Sequence, residues 1–406
     1  MLDASFGSAG KFLAPPGSAQ GVVIQAGGKI VILAWGPFAN GNSFTLTRFN
    51  ADGSVDPSFG TGGKTEGNLG GLRLADEEVN SLAMQSDGKL VVAGRGTGLV
   101  NGTVNDEFAL ARYDADGHLD ASFGVGGKVF STFNNGRSSF LRALAIQADG
   151  KLVAVGSTPR ISNDYNFAIA RFLADGSLDA GFGSGGTVVT DFSQSNNDNS
   201  AEAIAIQADG KLVVAGWNQL GGSGSDIAPA LIRYNADGSI DATFGTGGQV
   251  SNTSLIDNFG GPAAVAIQAD GKIVLSKNVD TGFGDFALSR YNANGSPDTT
   301  FGTNGVVSTD LNGNQDRSIP MLIQADGKVI VGGFAQGPNS SLFALARYQT
   351  DGSLDSTFGS GGKVLTDFGL SFAICNALAV QADGKIVAVG AASNGTTHSA
   401  VARYAP

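Results

Sequence analysis

The chain has 406 residues, among them 62 Gly, 11 Pro and one Cys, and carries a formal net charge of −11. Its lone Cys375 excludes an intrachain disulfide and a cysteine-built metal centre. The acidic balance points away from nucleic acid, whose phosphates require clustered Lys and Arg, and no apolar run reaches the 18 residues of a membrane-spanning helix.

In chain order, the first recognisable segment is Leu2-Asp3-Ala4-Ser5-Phe6-Gly7, and no basic-then-apolar stretch of the secretion-signal kind precedes it. The pattern recurs and places a Phe at Phe6, Phe59, Phe123, Phe182, Phe244, Phe301 and Phe358. A Gln-Ala-Asp-Gly-Lys motif, with small variations, places its Gln at Gln25, Gln85, Gln147, Gln207, Gln268, Gln324 and Gln381. A third motif, Phe-Ala-Leu-Ala-Arg-Tyr, places an Arg at Arg48, Arg112, Arg171, Arg233, Arg290, Arg347 and Arg403. Three motifs in seven copies each define an internal repeat of about sixty residues, the signature of a repeat architecture.

Each unit reads as four strands. In the third copy, Ala143 to Gln147 is the first, and Asp149-Gly150 is a hairpin turn of the strongest short-range kind. Lys151 to Val155 follows, then a variable loop, then Phe167 to Phe172. A second turn at Asp175-Gly176 leads through the Phe-Gly motif to Thr187 to Thr190. No segment has helical periodicity. The first strand has a mostly small face, four and two residues before the Gln (Ala143, Ala145), and a large one (Leu144, Ile146). Such strands suit blades that crowd together at a hub. The expectation is an all-β chain, a single seven-bladed β-propeller domain over 1–406 with four-stranded blades. The N-terminal Lys11 to Ala14 would supply the outer strand of the last blade and so close the ring and cover its open edge.

The stretch Phe108-Ala109-Leu110-Ala111-Arg112-Tyr113 through Ala121-Ser122-Phe123-Gly124, with the turn at Gln85 to Lys89, resembles bacterial delta-60 repeats, and the strand order is similar to NHL-type propellers. The resemblance covers nearly the whole chain, although the first copy is looser (Phe44-Thr45-Leu46-Thr47-Arg48-Phe49). It implies a propeller and an extracellular or cell-surface location in bacteria, and it supplies no catalytic motif.

Repeat motifs hold eighteen basic and eighteen acidic side chains, so the net charge lies in the variable segments, such as Asp76, Glu77 and Glu78, or Asp106 and Glu107. No cofactor is expected. The segment Asp114-Ala115-Asp116-Gly117-His118-Leu119-Asp120 and the related Asn50 to Asp56 have the acidic spacing of some calcium loops, which makes calcium the one candidate ion. An Arg stands two residues ahead in every copy, and an Arg–Asp clamp accounts better for the pattern. The two histidines, His118 in a repeat turn and His398 in the last variable loop, show no nucleophile or metal-ligand spacing.

Two rings of positions remain as candidate binding residues. Just beyond the second strand stand Trp35, Arg95, Ser157, Trp217, Asn278, Phe334 and Ala391, which include both tryptophans. Aromatic side chains there suit a sugar ring or a protein anchor, against the plainer reading that they cap gaps between blades. Five residues before each Gln stand Gln20, Asn80, Arg142, Glu202, Ala263, Ile319 and Asn376, mostly polar and expected at the mouth of the central channel. Lys277 stands where five of the other six copies have Gly, as a functional group or one that simply reaches solvent. The leading reading is a non-enzymatic interaction module that holds a glycan or protein partner on its variable-loop face. Its rivals are a hydrolase or lyase with a carboxylate site at the channel mouth, through acids such as Glu202, and a purely structural spacer.

Overall fold

A computed structural model of the protein describes all residues except 37–42, 71–77, 101–102, 134–136, 160–163, 193–196, 221–226, 253–263 and 280–283. The described residues form seven four-stranded antiparallel sheets, one per repeat, numbered here as blades 1 to 7. Their single helical element is a 3-10 turn at Ala26–Gly28, where blade 1 has Gly27 in place of the turn Asp.

Blade 3 shows the unit. Its strands are Phe140–Ile146, Leu152–Pro159, Tyr165–Phe172 and Thr187–Thr190, innermost to outermost. The outer strand has its expected limits, and the inner three run further toward the variable loops. The inner strand gains length through a β-bulge at Arg142: Leu141 pairs with Gly156, and the next partners are Ala143 and Val155. Blades 1, 2, 4, 6 and 7 shift register at the same place. Gly156 is small because the bulged strand's backbone passes over it; a Cβ there would lie 1.9 Å from the Phe140 carbonyl oxygen.

The core is divided among the seven blade-to-blade interfaces. Successive side chains of a strand point to opposite faces. Leu152 and Ala154 therefore pack with blade 2, while Val153 and Val155 pack with blade 4, and all four are fully buried. The inner strand follows the same rule: Leu144 and Ile146 lie against the blade 2 interface, and Ala143 against that of blade 4. Its small face receives the next blade's large one. At Gly21 of blade 1, an added Cβ would sit 2.7 Å from Leu82 Cβ of blade 2.

Each inner strand contacts those of both neighbours, and the ring is closed. The closure uses the N-terminal segment: Lys11–Pro16 is the outer strand of blade 7 and pairs antiparallel with Thr397–Tyr404, from Lys11 opposite Ala402 to Pro16 opposite His398.

Candidate functional site

The conserved-looking turns at one end of the blades are occupied by an internal polar knot. In all seven copies the motif Arg donates its Nε–H to the Asp of the Leu-Asp motif at 2.7–2.9 Å, as in Arg48 to Asp56, Arg233 to Asp241 and Arg403 to Asp3. The Lys after the Asp-Gly turn reaches the same carboxylate, as Lys211 does to Asp241 at 2.8 Å. The guanidinium lies over the motif Phe, 4.4 Å from the Phe182 centroid for Arg171. Its far end donates to a backbone carbonyl of the next blade, as from Arg48 Nη1 to Ala115 O at 2.8 Å. These bonds hold the carboxyl groups low. For Asp3, the Ser5 hydroxyl, with the Ser5 N–H, Arg403 and Lys385 behind it, brings the pKa to about 2. In the Asp114–Asp120 segment, Asp120 binds Arg112 and Asp116 faces Arg48 at 3.4 Å, so protein cations take up those carboxylates. His118 is exposed and bonded to Asp114.

The opposite end carries the variable loops, and there the two candidate rings come together. Glu202, the bulge residue of blade 4, accepts the Trp217 indole N–H at 3.1 Å and stands 3.7 Å from the Arg142 guanidinium of blade 3. Trp217 lies within its strand, Leu212–Gln219, opposite Ser200 and Pro229. The bulge residues also tie blade to blade. Asn80 donates to the Leu141 carbonyl at 2.7 Å, and Asn376 to that of Ala19 at 2.9 Å, whereas Gln20 bonds locally to Ser18. This pattern follows from the bulge, which turns one extra side chain toward the neighbouring inner strand. The bulge is invisible in an alternation pattern.

The strand-end residues divide into braces and exposed groups. Arg95 stacks on Phe140 of the next blade at 5.6 Å and faces Glu78 at 3.3 Å and Asp106 at 3.7 Å. Phe334 lies 6.4 Å from Phe372 of blade 7, which is 38 % exposed. Trp35 ends its strand and is also 38 % exposed. The backbone of Asn278 lies in the strand Ile273–Val279, but its side chain, like Ala263, Asp76 and Glu77, is outside the described residues. Lys277 does not reach solvent: it is fully buried, and its carbonyl accepts the Ser318 hydroxyl of blade 6. His398 belongs to the third strand of blade 7 and not to the loop before it, because that strand starts at Thr397. Clefts of about 660, 690 and 710 Å³ lie at blade junctions; His118 lines the first and Asp116 the second, and no residue of the two rings lines any of the three.

One set of carboxylates escaped the sequence reading. Asp285, Asp310 and Asp316 offer oxygen atoms within 4.8 Å of one another at the junction of blades 5 and 6, on the loop end. A trace of it is present in the run Asp310-Leu311-Asn312-Gly313-Asn314-Gln315-Asp316, but Asp285 joins only through the fold.

A family model described as "Domain of unknown function (DUF5122) beta-propeller" matches seven segments, residues 25–59, 85–123, 147–182, 207–244, 268–301, 324–358 and 381–406. They fall one per blade and amount to more than half of the chain. Among solved structures, the chain is similar to a polysaccharide lyase, an ulvan lyase bound to GlcA(1-4)Rha3S, at 11 % identity and a TM-score of 0.53, covering 98 % of this chain and 95 % of that one. A second polysaccharide lyase gives 12 % identity, coverage of 98 % and 92 %, and a TM-score of 0.51. A puromycin hydrolase gives 15 % identity, coverage of 95 % and 52 %, and a TM-score of 0.50. At such identities the likeness is one of fold, and fold alone does not carry function. No curated protein matches the sequence.

Proposed function

The chain belongs to the DUF5122 beta-propeller family, and from that footing we propose that it is a non-enzymatic binding module whose variable-loop face recognises a glycan or a protein, on or outside a bacterial cell. The observation that carries this reading is the joining of the two rings: Arg142, Glu202 and Trp217 form one connected set, with exposed aromatic groups such as Trp35 and Phe372 at the same end of the blades. A Trp held by its N–H keeps its ring in a fixed orientation, and a fixed ring loses little entropy on binding. The location rests on the resemblance to delta-60 repeats.

The hydrolase or lyase alternative draws on Glu202. Its carboxylate is bonded to Trp217 and faces Arg142, an arrangement that suits an anchor better than a proton donor.

Glycan-array and pull-down screens with the wild-type protein should return a ligand whose binding falls on the order of tenfold or more in Trp35→Ala or Trp217→Ala, the loss typical of a buried aromatic anchor. Melting curves of both variants distinguish lost contacts from lost fold. Normal binding by both variants, folded, would remove this face from consideration.

A further inference from the structure

We propose that Asp285, Asp310 and Asp316 form a calcium site that staples blade 5 to blade 6, a role independent of whatever partner the loop face binds. The three residues come from separate elements. Asp285 opens the third strand of blade 5, Asp285–Tyr291. Asp310 follows its outer strand, Val306–Thr309. Asp316 opens the inner strand of blade 6, Asp316–Ile323.

Carboxylates gather at many surfaces without an ion. Here Asp316 is different in kind, because it is 1 % exposed. Its Oδ2 accepts the Leu311 N–H at 2.7 Å, while its buried Oδ1 has no hydrogen-bond partner among the described residues. A buried, half-satisfied carboxylate beside two more costs stability unless a cation joins it. Burial, followed by the charges of Asp310 and Asp285, pushes its pKa up to about 6. Lys363 donates to the Asp310 backbone carbonyl at 2.6 Å and opposes the rise, but one ammonium does not balance three carboxylates.

The chemistry selects the ion. An all-oxygen, all-carboxylate set suits a hard cation. Oxygens within 4.8 Å of one another leave room for calcium at its ~2.3–2.6 Å. Calcium also accepts the irregular coordination that three separate elements supply, whereas magnesium demands a near-ideal octahedron.

The protein supplies its own control. The same three repeat positions between blades 3 and 4 hold Asn166, Asp191 and Asn199. The double variant Asp285→Asn/Asp316→Asn therefore recreates a composition that this fold already carries, and it should fold.

The test is isothermal titration of the chelator-stripped full chain with calcium chloride and, separately, magnesium chloride, together with melting curves in each. The wild type should take up calcium with a measurable heat and melt several degrees higher than in chelator. The double variant should melt in chelator no lower than the wild type does, and should lose both the heat and the shift. Absence of calcium heat and of any shift in the wild type overturns the site. So does their retention in the double variant. An equal response to magnesium overturns the assignment to calcium.

Discussion

The motif arginine explains three sequence patterns at once. Arg171 is buried, bonds Asp179 at 2.8 Å, lies over Phe182 and donates to the Ala236 carbonyl of the next blade. The recurrence of Arg, Asp, Lys and Phe therefore records one knot, repeated seven times. The pairing of Arg with Asp was legible because the two stand eight residues apart in six copies. The bond to the next blade was not, since a carbonyl acceptor leaves no mark in the sequence. The knot has a pH signature. An Asp held below its unfolded pKa contributes stability that is complete above about pH 4 and is lost as the pH falls through its folded value, which is about 2 for Asp3. Melting midpoints should therefore drop steeply below about pH 4. A midpoint that stays level down to pH 2 would show that the seven carboxylates are not what acid attacks.

At the scale of the strand, the β-bulge decides which side chains meet. It turns Asn80, Arg142, Glu202 and Asn376 toward neighbouring blades and brings Glu202 to Trp217. It also explains the glycine in the facing strand. At Gly216 an added Cβ would lie 1.9 Å from the Ser200 carbonyl oxygen. Gly216→Ala should lower stability by about 2 kcal/mol, the usual scale for overpacking, read as a shifted denaturant midpoint. Blade 1 has Ala34 at this position, and Ala34→Gly should change stability by less than about 1 kcal/mol. Equal effects at the two sites would mean that the bulge imposes no constraint. The run of glycines was visible in the sequence as a pattern broken by Lys277. Its cause was not, because the approaching carbonyl belongs to another strand.

Over the whole molecule, stability is shared among seven interfaces, and the ring shape makes each blade depend on two others. The joint in blade 7 is the place where this dependence can be cut. Deleting residues 1–17 removes the outer strand Lys11–Pro16, together with Asp3, which binds Arg403, and Phe6, over which Arg403 lies. It also bares the edge of Thr397–Tyr404 to other chains. Melting should fall by several degrees or more, and light scattering should reveal concentration-dependent association. An unchanged melt in a monodisperse sample would contradict closure by the N-terminal segment.

The repeat alone determined the number of blades, their four strands, the turns and the ring. These follow from local propensity, period-two alternation and the count of copies, all of which are properties of contiguous residues. Only the tertiary structure decided which side chains share a site. Trp217 with Glu202 and Arg142, or Asp285 with Asp310 and Asp316, are brought together by a bulge or by the seating of one blade on the next. Such neighbours are separated along the chain by variable loops, and the spacing of those loops carries no information about the contact that the fold will make.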